Sequence, residues 1–286
     1  MTPHGFLALA PQYTTTSELL SAAARRRGME VEALSPQGAP PSVADSRSAH
    51  YYGGPGFAER VVGALGVALL EPVDDWLVAL PRTWTGRRIT MATLEQARAL
   101  TRPAFVKPPR DKCFPAAVYS DGNRLPVGPE LAPDIPVQIS ETVSWAAEFR
   151  LFVLDGEVRT GSQYATYGRL DAHPLRGHRD EHAVLEFARG LLAGCGDTLP
   201  SAVVVDVGRL TTPERPAEKR WAVVEANMAW FSNCYAAEPD RVLDVVLRSA
   251  GPRARLGPRD QRFWRGSGGD RPGGRPRTGD EERWVG

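Results

Sequence analysis

A β-hairpin near the middle of the 286-residue chain constrains the fold more than any other feature of the sequence. Residues 147–154 and 157–165 are rich in apolar and β-branched side chains, and Asp155-Gly156 stands between them. This dipeptide supplies the positive φ angles that a tight type I′ turn requires. Two more apolar strands are predicted at 201–207 and 221–227, joined by a polar loop that contains Pro213 and Pro216. The second half of the chain is therefore expected to be rich in β-structure.

The first 80 residues show strands that alternate with helices. The predicted elements are a strand over 6–10, a helix capped by Thr15 or Thr16, a strand over 29–34, a strand starting at Tyr51-Tyr52 and a helix over 55–65. A short apolar run and a helix over 73–80 follow. Such alternation favours a small parallel α/β unit. We assign this unit to residues 1–83.

The remaining chain divides into a larger folded part and a tail. In residues 84–250 the predicted elements are helices over 93–100, 181–192 and 239–249, with further strands over 104–107, 116–119 and 137–143. Residues 251–286 hold nine Arg, nine Gly, four Pro and five acidic residues without periodicity. Such a composition is typical of segments that cannot bury a core, so we predict a disordered tail.

Composition excludes several classes of protein. The 35 basic and 34 acidic side chains balance, whereas nucleic-acid binding needs a surplus of positive charge. No run approaches the roughly 20 apolar residues of a membrane span. Three cysteines without a CxxC pair fit thiols in a reducing compartment. We expect a soluble cytoplasmic protein with neither a membrane nor a nucleic acid as its partner.

Lysine is rare in this chain. Only three of the 35 basic residues are lysines, and two of them, Lys107 and Lys112, lie five residues apart. A compact ammonium group is not interchangeable with a guanidinium fork, and it is a common choice for a point contact to phosphate. The alternative is that both lysines are unremarkable surface charges. The pair is a candidate phosphate-binding feature.

Three polar side chains interrupt the last two predicted strands. Asp206 lies inside an apolar strand, where an isolated charge is costly, and Glu225 and Asn227 are two residues apart on one strand face. If the strands pair as a hairpin, the three side chains converge. Two carboxylates and an amide oxygen suit Mg²⁺, which keeps waters and binds substrate phosphates. The alternative is that Asp206 faces solvent and Glu225 ends a strand.

Glu148 and Arg150 form a second candidate pair, two residues apart on the first strand of the central hairpin. A guanidinium held on a strand is a good clamp for a phosphoryl or carboxylate group. The alternative is a local ion pair that contributes little to stability.

Taken in order along the chain, these residues resemble a known family. Lys107-Pro, the run that holds Gln138-Ile-Ser-Glu141, the Glu148-Phe-Arg150 strand with its Asp-Gly turn, Asp206 and Glu225-Ala-Asn227 are similar in order to the ATP-grasp superfamily. In particular, they resemble the bacterial and phage clade named for two arginines and one lysine. The resemblance spans roughly residues 84–250.

The resemblance implies an α/β (α+β) protein in which ATP lies between two lobes, after an N-terminal domain. Lys107, with Lys112 as a second candidate, would contact the phosphates. The stretch that begins at Gln138 would form the hinge that holds adenine, and Glu141 or Glu148 would reach the ribose. The remaining implied site residues are Ser140 in that hinge, Arg150 facing the transferring phosphate, and Asp206, Glu225 and Asn227 holding Mg²⁺.

The implied reaction is ATP-dependent ligation of a carboxylate to an amine through an acylphosphate, on small-molecule or peptide substrates. That chemistry needs positioning and charge neutralisation rather than a protein nucleophile. The alternatives are a non-catalytic nucleotide-binding or partner-binding protein on the same fold, and a phosphotransferase.

The chain departs from the family pattern at two places. The segment after Lys107 lacks the glycines that family members place over the phosphates, which favours the non-catalytic alternative. The second arginine of the clade has two candidates, Arg159 and Arg169.

Overall fold

The structure, a computed structural model, describes residues 5–37, 48–109, 113–212 and 215–266. It is built from four sheets. The first sheet is parallel, in the order β2-β1-β3, from strands β1 (Phe6–Leu9), β2 (Glu30–Ala33) and β3 (Ala49–Tyr52). Helices α1 (Thr15–Arg26) and α2 (Pro55–Leu65) accompany it. The predicted parallel α/β unit is therefore present.

The first helix begins one residue earlier than the sequence predicts. Its cap is Thr14 rather than Thr15 or Thr16, because the Thr14 side chain accepts from Ser17 N at 3.1 Å and Ser17 Oγ accepts from Thr14 N at 3.0 Å. This reciprocal pair satisfies two backbone donors at once, which a cap at either later threonine would forgo.

The helix predicted over 73–80 is shorter than expected. After strand β4 (Val67–Leu69), helix α3 covers only Trp76–Ala79, and α4 (Arg82–Thr85) follows it. Leu80 has an extended backbone with ψ of 139°. Pro81 explains why the helix ends before Leu80, since proline disfavours the helical region for the residue before it.

The four-stranded sheet forms the small lobe. Its antiparallel order is β5-β8-β6-β7, from β5 (Ile89–Thr93), β6 (Ala104–Lys107), β7 (Ala117–Tyr119) and β8 (Pro136–Ser140). Helix α5 (Leu94–Arg98) covers one face around Val106 and Val137. Lys107 lies directly opposite Gln138, so both side chains project from the other face.

The five-stranded antiparallel sheet forms the large lobe. Its order is β11-β10-β9-β12-β13, from β9 (Ser144–Leu154), β10 (Glu157–Thr166), β11 (Arg169–Pro174), β12 (Ala202–Thr212) and β13 (Arg215–Asn227). Helix α6 (Glu181–Cys195) packs on one face and α7 (Pro239–Ser249) on the other. Asp155 and Gly156 have φ of 52° and 83°, which confirms the predicted tight turn.

The predicted polar loop between the last two strands is wrong in its extent. Strand β12 runs to Thr212 and β13 begins at Arg215, so Pro216 lies inside a strand. Because β13 is an edge strand, the missing N–H of a proline can be tolerated there. Pro213 lies outside the described residues.

The predicted disorder from residue 251 is wrong for 251–266, and 267–286 lie outside the described residues. Strand β14 (Ala250–Pro252) pairs with β4, and Phe263 is buried. Arg265 bridges Glu71 at 2.7 Å and Glu59 at 2.6 Å. Composition alone does not indicate these contacts, because the partners of β14 and of Arg265 lie far away in the sequence. The division of the chain at residue 83 stays a prediction.

Short 3-10 helices complete the fold at Gly122–Arg124, Gly196–Thr198, Ala229–Phe231, Arg253–Arg255 and Pro258–Phe263. Within the ranges that the structure describes, none of the helices has the length and apolar character needed to cross a membrane.

Replacing Asp260 with alanine is expected to lower the free energy of unfolding by about 2–3 kcal/mol. The buried Asp260 carboxylate accepts from Ser201 N at 2.7 Å and from Ser201 Oγ at 2.5 Å, and its loss leaves a buried backbone donor without a partner. Urea unfolding followed by circular dichroism measures the change. The exposed neighbour Gln261→Ala is the control, and equal stability of the two variants would contradict the expectation.

Candidate active site

Two neighbouring strands of the large lobe bring three predicted side chains together. Asp206 on β12 lies opposite Glu225 on β13, and Asn227 follows two residues later. Asn227 Nδ2 donates to Asp206 Oδ2 at 3.2 Å and to Glu225 Oε1 at 2.9 Å. The amide nitrogen, not the amide oxygen, therefore faces the two carboxylates. The three side chains converge, and the metal-ligand role of Asn227 stays a prediction, in which its amide would rotate to present the oxygen.

Arg150 holds Asp206 from the strand on its other side. The two residues lie opposite each other on β9 and β12, and the guanidinium donates from Nε to Oδ1 at 2.9 Å and from Nη2 to Oδ2 at 2.7 Å. Burial would lower the pKa of Arg150, but the charge and hydrogen bonds of Asp206 raise it. Burial raises the pKa of Asp206 although Arg150 opposes that rise.

Lys107 reaches the same cluster from the small lobe. Its Nζ lies 2.5 Å from Glu225 Oε2, so one ion pair joins β6 of the small lobe to β13 of the large lobe. Burial would raise the pKa of Glu225, but the charge and hydrogen bond of Lys107 lower it to about 2. The carboxylate of Glu225 is therefore ionised throughout the physiological range.

Glu148 borders the cluster. Its Oε2 accepts from the hydroxyl of Tyr164 at 2.8 Å. Burial raises its pKa, the Tyr164 hydrogen bond lowers it, and the negative charges of Asp206 and Glu225 raise it further. Glu148 is thus close enough to the carboxylate pair to be affected by its charge.

The first part of the stretch predicted as a hinge, up to Ser140, lies within strand β8. Gln138 and Ser140 lie inside β8, between β5 and β6, so their backbone groups serve the sheet. Glu141 accepts from the backbone N of Arg88 at 2.8 Å and from the Arg82 side chain at 3.3 Å. Backbone groups of Gln138 and Ser140 are thus used by the sheet, while their part in ATP binding stays a prediction. Residues 141–143 form the connection between the lobes.

Two buried polar atoms near this connection have no hydrogen-bond partner among the described residues: Gln138 Oε1 and Thr142 Oγ1. Gln138 Nε2 donates to Asp74 O at 2.7 Å, which fixes the orientation of the amide. Because Gln138 shares a sheet face with Lys107, the amide lies on the face that meets the large lobe. An unpaired acceptor, Gln138 Oε1, therefore lies buried on this face.

Sequence reasoning missed Arg87. Its guanidinium is buried and donates to Thr85 O, Val223 O, Val224 O and Ser140 Oγ at 2.9, 2.7, 3.1 and 3.1 Å. It thereby ties β8 of the small lobe to β13. Nothing in the local sequence distinguishes it from the other arginines.

The other candidates lie elsewhere. Lys112 lies outside the described residues. Arg159 stands 3.9 Å from Glu157 beside the hairpin turn, and Arg169 is exposed at the start of β11. Strand β11 is the edge of the large sheet opposite β13, so Arg169 is remote from Glu225.

The donor set fits Mg²⁺ better than a transition metal. No group of three or more His, Cys, Asp or Glu side chains in the described ranges is arranged to hold a metal ion. A site with one or two carboxylates, completed by waters and substrate phosphates, is typical of Mg²⁺. Asp206 and Glu225 provide that minimum.

A scan of protein families matches residues 84–245 to an ATP-grasp domain, family 2 of the clade named for two arginines and one lysine. The RimK domain ATP-grasp protein from Sphaerobacter thermophilus DSM 20745 is similar in structure, with a TM-score of 0.53, 16% identity, and coverage of 85% of this chain and 99% of that one. This likeness shows the fold. No curated protein matches the sequence.

Two other solved structures are similar at lower scores. D-alanyl-alanine synthetase A from Vibrio cholerae O1 biovar eltor str. N16961 has a TM-score of 0.47 and 12% identity over 85% of this chain and 94% of that one. The ATP-grasp ligase PsnB, complexed with precursor peptide PsnA2 and AMPPNP, has a TM-score of 0.46 and 12% identity over 87% and 99%.

Proposed function

The chain belongs to family 2 of the ATP-grasp clade named for two arginines and one lysine, and from this premise we propose that it is an ATP-dependent ligase. It joins a carboxylate to an amine through an acylphosphate, with Mg²⁺ bound. The substrates are small molecules or peptides. We assign the protein to the cytoplasm, in keeping with its odd number of cysteines and its lack of a CxxC pair.

One observation carries the proposal. The Lys107 ammonium of the small lobe and the Glu225 carboxylate of the large lobe meet at 2.5 Å, beside Asp206 and Arg150. One of the three lysines of the chain thus meets two carboxylates of neighbouring strands between the two lobes. Such a pairing of positive and negative groups suits a metal-bound triphosphate, which carries both signs of charge.

Each residue has a role in the proposal that follows from its charge. Asp206 and Glu225 would hold Mg²⁺, with Asn227 as a further ligand once its amide rotates, and Lys107 would contact the phosphates. Of the five N–H donors of Arg150, three make the hydrogen bonds to Asp206 and Asn233 O, which leaves two for a phosphoryl oxygen. Bound Mg²⁺ would supply neutralisation of negative charge on the phosphates.

The proposed reaction has two balanced steps. A carboxylate oxygen of the substrate forms a bond to the γ-phosphorus as the bond from that phosphorus to the β–γ bridging oxygen breaks, and ADP leaves. The amine nitrogen then bonds to the acyl carbon, inorganic phosphate leaves, and the amine releases a proton to solvent. Lys107 and Arg150 stabilise the charge on the transferring group, and the protein provides no nucleophile.

To test the proposal, the protein is incubated with ATP, Mg²⁺ and a cell extract, and the products are identified by mass spectrometry. We expect ADP release that depends on an acceptor, a new amide product, and loss of both in Lys107→Ala. ATP binding without any product would instead support a non-catalytic nucleotide-binding protein. A phosphorylated product without an amide would support a phosphotransferase.

Gln138→Met is expected to weaken ATP binding about fivefold and to reduce the preference for ATP over GTP. The unpartnered Gln138 Oε1 accepts a hydrogen bond from an exocyclic amine such as that of adenine, whereas guanine offers a carbonyl at the equivalent position. Titration with each nucleotide, followed by intrinsic fluorescence, measures the change. Gln261→Met, at an exposed position, is the control, and unchanged affinities would show that Gln138 does not contact the base.

A further inference from the structure

Tyr235 has an unusual backbone conformation beside the candidate active site. It lies between the 3-10 helix Ala229–Phe231 and α7, with φ of 48°. This left-handed region is costly for a bulky residue and persists only where the surroundings impose it. Such strain is concentrated at functional sites, so its cause at Tyr235 is informative.

Hydrogen bonds on both sides of Tyr235 impose this conformation. Cys234 N donates to Thr16 Oγ1 at 3.1 Å, which fixes the segment to the start of α1. Ala236 N donates to Ser162 Oγ at 3.2 Å, and Glu238 N donates to Thr160 Oγ1 at 3.1 Å, which fixes it to β10. The backbone around Tyr235 is therefore fastened to two separate elements.

The ring that this conformation places completes an aromatic bracket, defined here as Tyr164 and Tyr235. The two rings are stacked, with centroids 5.2 Å apart and an interplanar angle of 14°. The guanidinium carbon of Arg150 lies 5.5 Å from the Tyr164 centroid and 5.3 Å from the Tyr235 centroid. Both distances allow a cation–π attraction that restricts where the guanidinium can move.

The two halves of the bracket are not equivalent. Tyr164 lies on β10 within the large sheet, and its hydroxyl donates to Glu148, so its position follows from the strand. Tyr235 lies outside any strand, and its ring lies beside Arg150 from a backbone held at a positive φ. The strain at Tyr235 therefore has a consequence for Arg150.

We propose that Tyr235 is a positioning residue, which holds the Arg150 guanidinium on Asp206 and so fixes the carboxylate that the site needs. The effect on turnover rests on the proposed ligase function, whereas the effect on Arg150 does not. Arg150 donates two hydrogen bonds to Asp206, so movement of the guanidinium also releases the carboxylate.

Three variants separate the ring of Tyr235 from its backbone. Tyr235→Phe keeps the ring. Tyr235→Asn removes the ring but tolerates the left-handed backbone, and Tyr235→Gly is a second ringless variant if the first fails to fold. Tyr167→Asn is the matched control, because Tyr167 has φ of 47° at an exposed turn between β10 and β11.

The first measurement is steady-state kinetics. We expect Tyr235→Asn to lower kcat about 10- to 100-fold while KM for ATP stays within about twofold, as when a catalytic group is slightly misplaced. Tyr235→Phe should retain kcat within about threefold, and Tyr167→Asn should match the wild type. A kcat in Tyr235→Asn equal to that of the control, or a parallel loss in Tyr235→Phe, would overturn the proposal.

The second measurement needs no turnover. The Nε–H of Arg150 hydrogen-bonds to Asp206, so its NMR signal, assigned by comparison with Arg150→Lys, reports the bracket directly. We expect its hydrogen exchange to become at least about tenfold faster in Tyr235→Asn or Tyr235→Gly, and unchanged in Tyr235→Phe. Unchanged exchange in both ringless variants would refute the bracket. A wild-type protein that makes no product would refute the ligase function while this result still decides the bracket.

Discussion

Glu225→Gln is expected to lower the turnover of the proposed ligase reaction on the order of 10³-fold, or roughly 4 kcal/mol of transition-state stabilisation. Glu225 meets Lys107 across the cleft and shares the Asn227 amide with Asp206. Glutamine has the same shape but lacks the charge that holds a cation and aligns the lysine. The fold should survive, because the Glu225 side chain is 33% exposed and the substitution is isosteric.

ADP release measured over a range of Mg²⁺ concentrations tests this expectation. The apparent affinity for Mg²⁺ should fall together with turnover, since the variant removes one of two carboxylates. Glu157→Gln is the matched control, because its side chain is 79% exposed at the hairpin turn. Turnover of Glu225→Gln within tenfold of the wild type would exclude Glu225 from the metal site.

Arg87→Met is expected to lower the free energy of unfolding by about 3–5 kcal/mol. The guanidinium is buried, and its four hydrogen bonds reach Thr85, Ser140, Val223 and Val224. Methionine fills much of the same volume but leaves three backbone carbonyls without that donor. Such a loss is a large fraction of the stability of an ordinary domain.

Chemical denaturation of the two neighbouring variants Arg87→Met and Arg88→Met measures this effect. The Arg88 side chain is 74% exposed, and its strong contact with Glu141 is made by its backbone N, so Arg88→Met should change stability little. Arg87→Lys should not rescue the fold, because an ammonium cannot span the same acceptors. Equal stabilities of the two methionine variants would refute the role of Arg87.

The sequence predicts those parts of the molecule that depend on local patterns. The turn at Asp155-Gly156 follows from the φ angles of two residues, and the approach of Asp206 to Glu225 follows from strand periodicity once the strands pair. The order of the motifs along the chain indicates the fold, and the scarcity of lysine indicates the interest of Lys107. The turn and the strand alternation each depend on residues that are close in the sequence, so they can be predicted from one sequence.

The remaining features depend on contacts that no local pattern encodes. The ion pair between Lys107 and Glu225 joins residues 118 positions apart, and the role of Arg87 follows from its surroundings alone. The strained backbone at Tyr235 is set by Thr16 and Ser162, which lie in separate parts of the sequence. Residues 251–266 are packed although their composition is typical of disorder, and this packing is not predicted because partners such as Glu59 and Glu71 of Arg265 are far away in the sequence.

Contacts between the C-terminal and N-terminal parts of the chain limit where the protein can be cut into fragments. Strand β14 pairs with β4, and the buried side of α7 shares a core with α1 and the parallel sheet. A fragment cut at 84 and 245, where the family match ends, would split α7 and remove the part of its core that β1 and α1 supply. A fragment intended to fold should therefore include the N-terminal α/β unit and residues 246–266 together with the matched domain.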